Sequence, residues 1–216
     1  MMRGICFLIV FVFALGSLKS QTDFEPDNSL KVEVGLPATL EAATNKSFRD
    51  LMTGLLNASV AFQSTPEFSR PVSYSGGLRY SLFNVNEFRN NFDLSGNLHV
   101  FGAYGRVGSE QFYGDLGVDY GIKIGYTRNY AMVNKCIDET GRAGYSEAIM
   151  VEPNIAFNYR VDPNSAFTFF NLSYSFYTFP FEPRLVCMDD FPGFSESDWS
   201  GITTFLSIGF GYTYYF

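Results

Sequence analysis

The chain has 216 residues, 46% hydrophobic and 18% aromatic, enough for one substantial domain, and its excess of Phe (24) and Tyr (14) favours strands over helices. A net charge of −7 excludes nucleic-acid binding driven by counterion release.

Residues 1–20 have a short basic start at Arg3, an apolar run from Ile5 to Leu15 and small residues after it, the pattern of a secretory signal peptide. The run is too short to cross a bilayer as a helix, which takes about 20 residues. Cleavage fits after Ser20, which leaves Gln21 first and removes the positive charges of Arg3 and Lys19, or after Gly16 with Ala14 at minus three. Cys6 lies inside the run with no small-residue lipobox ahead of it and is expected to be discarded. Residues 21–28 read as an acidic, mobile leader (Asp23, Glu25, Asp27), and residues 29–216 as one β-barrel.

Within 29–216 eight segments alternate with a period of two, so that one face of each is greasy. The greasy sets begin with Leu30, Val32, Val34 and Leu36, then Leu56, Ala58, Val60 and Phe62, then Val72, Tyr74, Leu78, Tyr80 and Leu82. The fourth set is Leu98, Val100 and Tyr104; the fifth runs through Phe112, Leu116, Val118, Tyr120, Ile122, Ile124 and Tyr126. Val151, Pro153, Ile155, Phe157, Tyr159 and Val161 make the sixth, and Phe170, Leu172, Tyr174 and Phe176 the seventh. The eighth ends the sequence, with Thr204, Leu206, Ile208, Phe210, Tyr212, Tyr214 and Phe216 on one face. A tilted bilayer strand takes about 9–11 residues, a length most of these segments reach.

The links alternate in length. Those at Thr65 to Pro71, Gly105 to Gln111 and Val161 to Ser165 are short and turn-like, whereas Pro37 to Leu55, Val85 to Leu94, Ala131 to Glu147 and Pro180 to Gly201 are long. Short periplasmic turns and long extracellular loops are the pattern of bacterial outer-membrane barrels. In the first long loop Asn45 is placed to cap a short helix over the rim, with Phe48, Leu51, Met52 and Leu55 on one face.

The terminal GYTYYF resembles the signal by which outer-membrane barrels are recognised for insertion, with Gly211, Tyr214 and Phe216 in its later positions. With the signal peptide, the eight alternating segments and the loop asymmetry, the chain resembles the small eight-stranded outer-membrane proteins of the OmpA and OmpX type. Its Tyr- and Gly-rich strands and Gln21 start are similar to the outer-membrane beta-barrel domain proteins common in Bacteroidota. The resemblance implies an all-β, eight-stranded antiparallel up-and-down transmembrane barrel in the bacterial outer membrane. Outer-membrane lipid and, during insertion, the barrel assembly machinery would be its partners, with a surface protein as a further one.

The opposite faces carry the charges: Lys31, Glu33, Arg79, His99, Asp115, Asp119, Lys123, Glu152 and Arg160. Eight strands enclose a space that side chains just fill, and buried charges must be paired, so the expected lumen is a salt-bridge plug with Lys31, Arg79, Lys123 and Arg160 against Glu33, Asp115, Asp119 and Glu152. His99, the single histidine, is expected inside as well, beside the serines Ser73, Ser75 and Ser81 of the neighbouring strand. A catalytic group there would be sealed from lipid substrates, so the chain reads as non-enzymatic and without a cofactor. No zinc spacing or phosphate loop is present. Asp189, Asp190 and Gly193 in the acidic fourth loop match a calcium loop only loosely, and such loops are ordinarily solvated, so no metal is assigned. Phe191, Phe194 and Trp199 of the same loop suit the membrane interface better than a partner's pocket. Two rivals are a narrow channel and a secreted soluble barrel that binds lipid inside, its faces reversed; against the latter stand the aromatic C-terminus and the lack of a Gly-x-Trp start.

Cys136 and Cys187 fall in the third and fourth long loops, which strand order makes neighbours on the oxidising side, and a disulfide between them is expected. Closing about 50 residues contributes on the order of 4 kcal/mol in the chain-entropy model. The native protein should resist a thiol reagent until it is reduced; labelling of Cys136 and Cys187 without reduction excludes the bridge.

Overall fold

The computed structural model describes residues 27–38, 52–85, 95–133, 144–178 and 203–216. They form eight strands: β1 (Asn28–Ala38), β2 (Met52–Ser64), β3 (Val72–Val85), β4 (Gly96–Tyr113), β5 (Leu116–Val133), β6 (Gly144–Asp162), β7 (Ser165–Tyr177) and β8 (Thr203–Tyr215). Each pairs antiparallel with the next, and β1 pairs with β8 to close an up-and-down barrel. The signal peptide, the cysteines Cys136 and Cys187 and the acidic loop with Asp189, Asp190 and Trp199 lie outside the described residues. Asn28 already belongs to β1, and Asp27 accepts a hydrogen bond from Arg70 at 2.8 Å, so the barrel starts one residue ahead of the expected boundary.

The two-residue period sets which face goes where. Leu30, Val32, Leu36, Leu78, Ile122, Ile124, Val161, Phe210 and Phe216 all point outward, with Leu36 and Leu78 both 62% exposed. Such a continuous apolar surface is an aggregation hazard in water and suits hydrocarbon. The soluble lipid-carrier reading needs those side chains inside and is overturned by this orientation.

Three local features depart from the sequence reading. Met52 and Leu55 are strand residues of β2, with a register shift between Gly54 and Leu56, rather than part of a rim helix. A second shift, between Thr168 and Asn171 of β7, leaves Phe167 and Phe169 outward and returns the phase to Leu172, Tyr174 and Phe176. The third is the largest. Residues 105–111 are no turn: β4 runs on to Tyr113, and the hairpin is the two-residue turn Gly114-Asp115, where Gly114 has a φ of +67°. A left-handed residue there matches the hairpin to the right-handed strand twist.

The closing seam pairs Gly35 with Gly209. A Cβ on Gly209 would come 2.3 Å from the Val34 carbonyl oxygen, and one on Gly35 would come 2.7 Å from that of Ile208, so the two strands meet more closely than any larger residue allows. By contrast Gly76 and Gly105 pair on the outer face with nothing closer than 3.9 Å and 4.0 Å. Gly209→Val should therefore abolish the fast-migrating unheated band by which a closed barrel is seen on a gel, while Gly105→Ala should keep it. A normal band for Gly209→Val contradicts the tight seam.

Candidate functional site

The inward faces stack three kinds of side chain along the lumen. Its middle holds seven charges of alternating sign, each within ion-pair distance of the next. Arg106 Nη2 lies 2.5 Å from Asp119 Oδ1, and Lys31 Nζ lies 2.5 Å from Asp119 Oδ2 and 3.4 Å from Glu33 Oε1. Lys123 Nζ continues the series at 2.8 Å from Glu33 Oε2 and 3.3 Å from Glu152 Oε1, and Arg79 closes it on the other Glu152 oxygen. All seven are buried, Asp119 completely. Neutral donors complete the shell: Ser59 and Asn171 each donate to Glu33 at 3.0 Å, and Ser175 donates to Glu152 while accepting from Arg79. Every carboxylate of the ladder is thus shared between two cations, which is the condition for keeping charge out of water.

Glu110 lies on the short-turn side of the ladder. It accepts from Asn158 Nδ2 at 2.6 Å and from the Tyr215 hydroxyl at 2.7 Å, and Gln63 Nε2 stands 3.5 Å away. Phe112, Ala166 and Tyr215 pack below it, with the Phe112 and Tyr215 rings 6.2 Å apart edge to face. At the other end an apolar layer draws on β2 to β8. Phe83 is in register with Leu98 and Leu98 with Ala131; Met52 is in register with Val85, and Met150 with Tyr177. The Phe205 ring joins the two halves, 5.1 Å from Phe83 and 5.2 Å from Tyr177, and Arg79 lies against it at 5.5 Å.

Lys31, Glu33, Arg79, Asp119, Lys123 and Glu152 stand in the lumen as expected. His99 does not. β4 has the opposite facing from the sequence reading: Leu98, Val100 and Tyr104 are buried inside, while His99 lies on the outer surface, its Nδ1 2.8 Å from the Tyr80 hydroxyl and near the exposed Phe101. It cannot meet Ser73 or Ser81, which face inward on β3. Asp115 is also misplaced: it sits exposed in the β4–β5 turn, where its carbonyl accepts from the Arg160 amide at 2.7 Å. Arg160 stands at the short-turn mouth, its guanidinium 4.1 Å from the centre of the Phe112 ring, away from the ladder. The same reversal hid Arg106 and Glu110, which take the places given to Arg160 and Asp115. The hairpin carries the signal: partners across an antiparallel pair share a face, and Arg106 pairs with Lys123, Glu110 with Asp119.

A cavity of about 10 Å³ remains beside the ladder, lined by Glu33, Asn57, Arg79, Lys123, Glu152 and Asn171 among others, on the order of one water site. Asn171, 8% exposed, lines this space and keeps a buried oxygen with no hydrogen-bond partner among the described residues. Of the insertion-signal residues, Gly211 is buried at the β1–β8 seam, while Tyr214 and Phe216 are 48% and 58% exposed on the outer face.

No family model and no curated protein matches the chain. Solved structures do, and these neighbours are small eight-stranded outer-membrane β-barrels. The chain is similar to neisserial surface protein A (NspA) at 10% identity and a TM-score of 0.54, over 88% of this chain and 97% of that one. It is also similar to the outer membrane protein OprG of Pseudomonas aeruginosa (10% identity, 92% and 100% covered, TM-score 0.47). For Ail, the attachment invasion locus protein of Yersinia pestis, the identity is 9%, the coverage 88% and 99%, and the TM-score 0.44. Of these three only NspA exceeds 0.5, and at such identities the likeness is one of fold.

Removing one member of a buried pair leaves its partner charged and desolvated, at about 3–5 kcal/mol. Arg79→Ala should lose that much in urea unfolding from lipid vesicles. Arg128→Ala, which removes an outward, half-exposed partner 4.0 Å from Glu147, should lose less than about 1 kcal/mol. Equal losses would mean that the ladder does not stabilise the barrel.

Proposed function

We propose that the chain is an integral outer-membrane protein with a closed polar lumen, whose role is structural or in surface interaction rather than catalytic. One observation carries this reading: apolar side chains face outward on all eight strands while seven paired charges lie inside. With no water in the hydrocarbon, a sheet must close on itself to pair its backbone, and polar side chains must turn to a lumen where they find partners. The barrel meets both conditions. The residual cavity beside the ladder has room for about one water, which favours a plug over the narrow-channel rival.

Three finer points belong to the same reading. Residues 1–20 direct export and are removed. The outward Tyr214 and Phe216, beside the buried Gly211, present the terminal strand to the barrel assembly machinery during insertion. The Tyr- and Gly-rich strands and the Gln21 start favour a Bacteroidota-type barrel. A non-enzymatic role is supported by the separation of His99 from the inward serines.

The mature protein should fractionate with the outer membrane and run faster unheated than boiled; recovery in a detergent-free soluble fraction would sink the membrane assignment. In planar bilayers it should give no steady conductance above the lipid background, whereas persistent channels of the unmodified protein would make the narrow-channel account the better one.

A further inference from the structure

The ladder is the obvious plug, but it does not fill the lumen by itself. Its charges line a small cavity, and Asn171 beside them keeps a buried oxygen without a partner among the described residues, the mark of internal water. Toward the long-loop end the chemistry changes within one turn of the pleat. On β3, Arg79 and Ser81 are polar and Phe83 is 0% exposed; on β6, Glu152 is followed outward by Met150 at 1%. Phe83, Leu98, Met150, Tyr177 and Phe205 come from five strands and meet over the end of the ladder, with ring centroids 5.1 Å and 5.2 Å apart across Phe205.

We infer that this apolar layer is a second barrier in series with the charge ladder, sealing the outer mouth against water and ions even when the ladder is broken. The inference rests on the closed-lumen reading above and names the residues that close it. The physical reason differs between the barriers. An ion in the ladder meets fixed charges that already have partners, so it must displace one. In the apolar layer the Tyr177 hydroxyl is the one hydroxyl among the five side chains, Phe83, Leu98, Met150 and Phe205 offer almost nothing to replace an ion's hydration, and a constriction lined by Phe and Leu excludes water itself. Arg79 joins the two barriers, because the guanidinium held by Glu152 also lies on the Phe205 ring at 5.5 Å.

The test uses the full mature barrel in planar bilayers, with heat-dependent gel mobility confirming closure of each variant. Arg79→Ala with Glu152→Ala removes one ion pair whole and leaves Lys123 its Glu33 partner at 2.8 Å. This pair variant should stay silent, and adding Phe83→Ser and Phe205→Ser should give steady conductance. A conducting pair variant, or a folded and still silent fourfold variant, overturns the inference. Conductance of the unmodified protein would instead overturn the closed-lumen reading, so the two failures are distinct. Where the fourfold variant does not fold, a reporter decides: Ser81→Cys in a chain with Cys136 and Cys187 replaced by Ser, treated on whole cells with a membrane-impermeant thiol reagent. It should react only when Phe205→Ser is present, and labelling beneath an intact layer refutes the second barrier.

Discussion

A charge in the middle of a bilayer has no water to turn to, and the arrangement of this barrel follows from that. Asp119 is completely buried, and it is tolerable there only because Lys31 and Arg106 each approach one of its oxygens at 2.5 Å. Arg106 comes from the neighbouring β4, but Lys31 comes from β1, so its pair with Asp119 of β5 ties together strands that are not neighbours in the sheet. Lys123 of β5 likewise reaches across to Glu33 of β1 while also meeting Glu152 of the adjacent β6, and Arg79 joins β3 to β6. The hydrogen-bonded sheet fixes which strand lies beside which; the ladder braces the barrel across its diameter. Breaking one link leaves a buried carboxylate with one cation in place of two, so the links support one another.

The architecture was largely legible in the sequence because the period of two is strong where one face is uniformly greasy. β1, β3, β5, β6 and β8 show this, and their inward charges were placed accordingly. β4 was not legible for a specific reason: its sequence GNLHVFGAYGRVGSEQFY has apolar residues on both faces, since its inner face serves an apolar layer at one end and the ladder at the other. Taken alone, Leu98, Val100 and Tyr104 outvote Phe101 and Val107, and Gly105 and Gly108 mimic a turn. The resolving information is non-local. Once Gly114-Asp115 is seen as the hairpin, the inward Asp119 and Lys123 of β5 put Glu110 and Arg106 inside with them. His99 and Asp115 were misassigned through this one strand or the turn beside it; Arg160 faces inward as β6 predicts but lies at the mouth, on Phe112, beyond the ladder.

The apolar layer was hidden by a different effect. Alternation gave Phe83 and Phe205 an inward direction, but a lumen assumed polar throughout offers no reason to group them. Their ring contacts come from closure, which brings β3 and β8 together through side chains although no hydrogen bond joins them. The bulge in β7 is likewise beyond a strict period of two: it lets Phe169 and Phe170 follow one another without turning the rest of the strand inside out.

The seam between β1 and β8 bears on the order in which the molecule can be made. The Phe216 amide donates to the Asn28 carbonyl at 3.0 Å, so the first and last described strands are partners. A chain threaded out N-terminus first therefore carries a bare edge on β1 until its final residues arrive, and Lys31 on that edge waits for Asp119 far along the chain. The loop to be closed is nearly the whole barrel, the slowest kind of contact to form. During that interval the greasy faces have neither lipid nor a finished sheet to cover them. The structure thus makes closure a docking of the first described strand on the last, which completes the pairing of all eight strands at one seam.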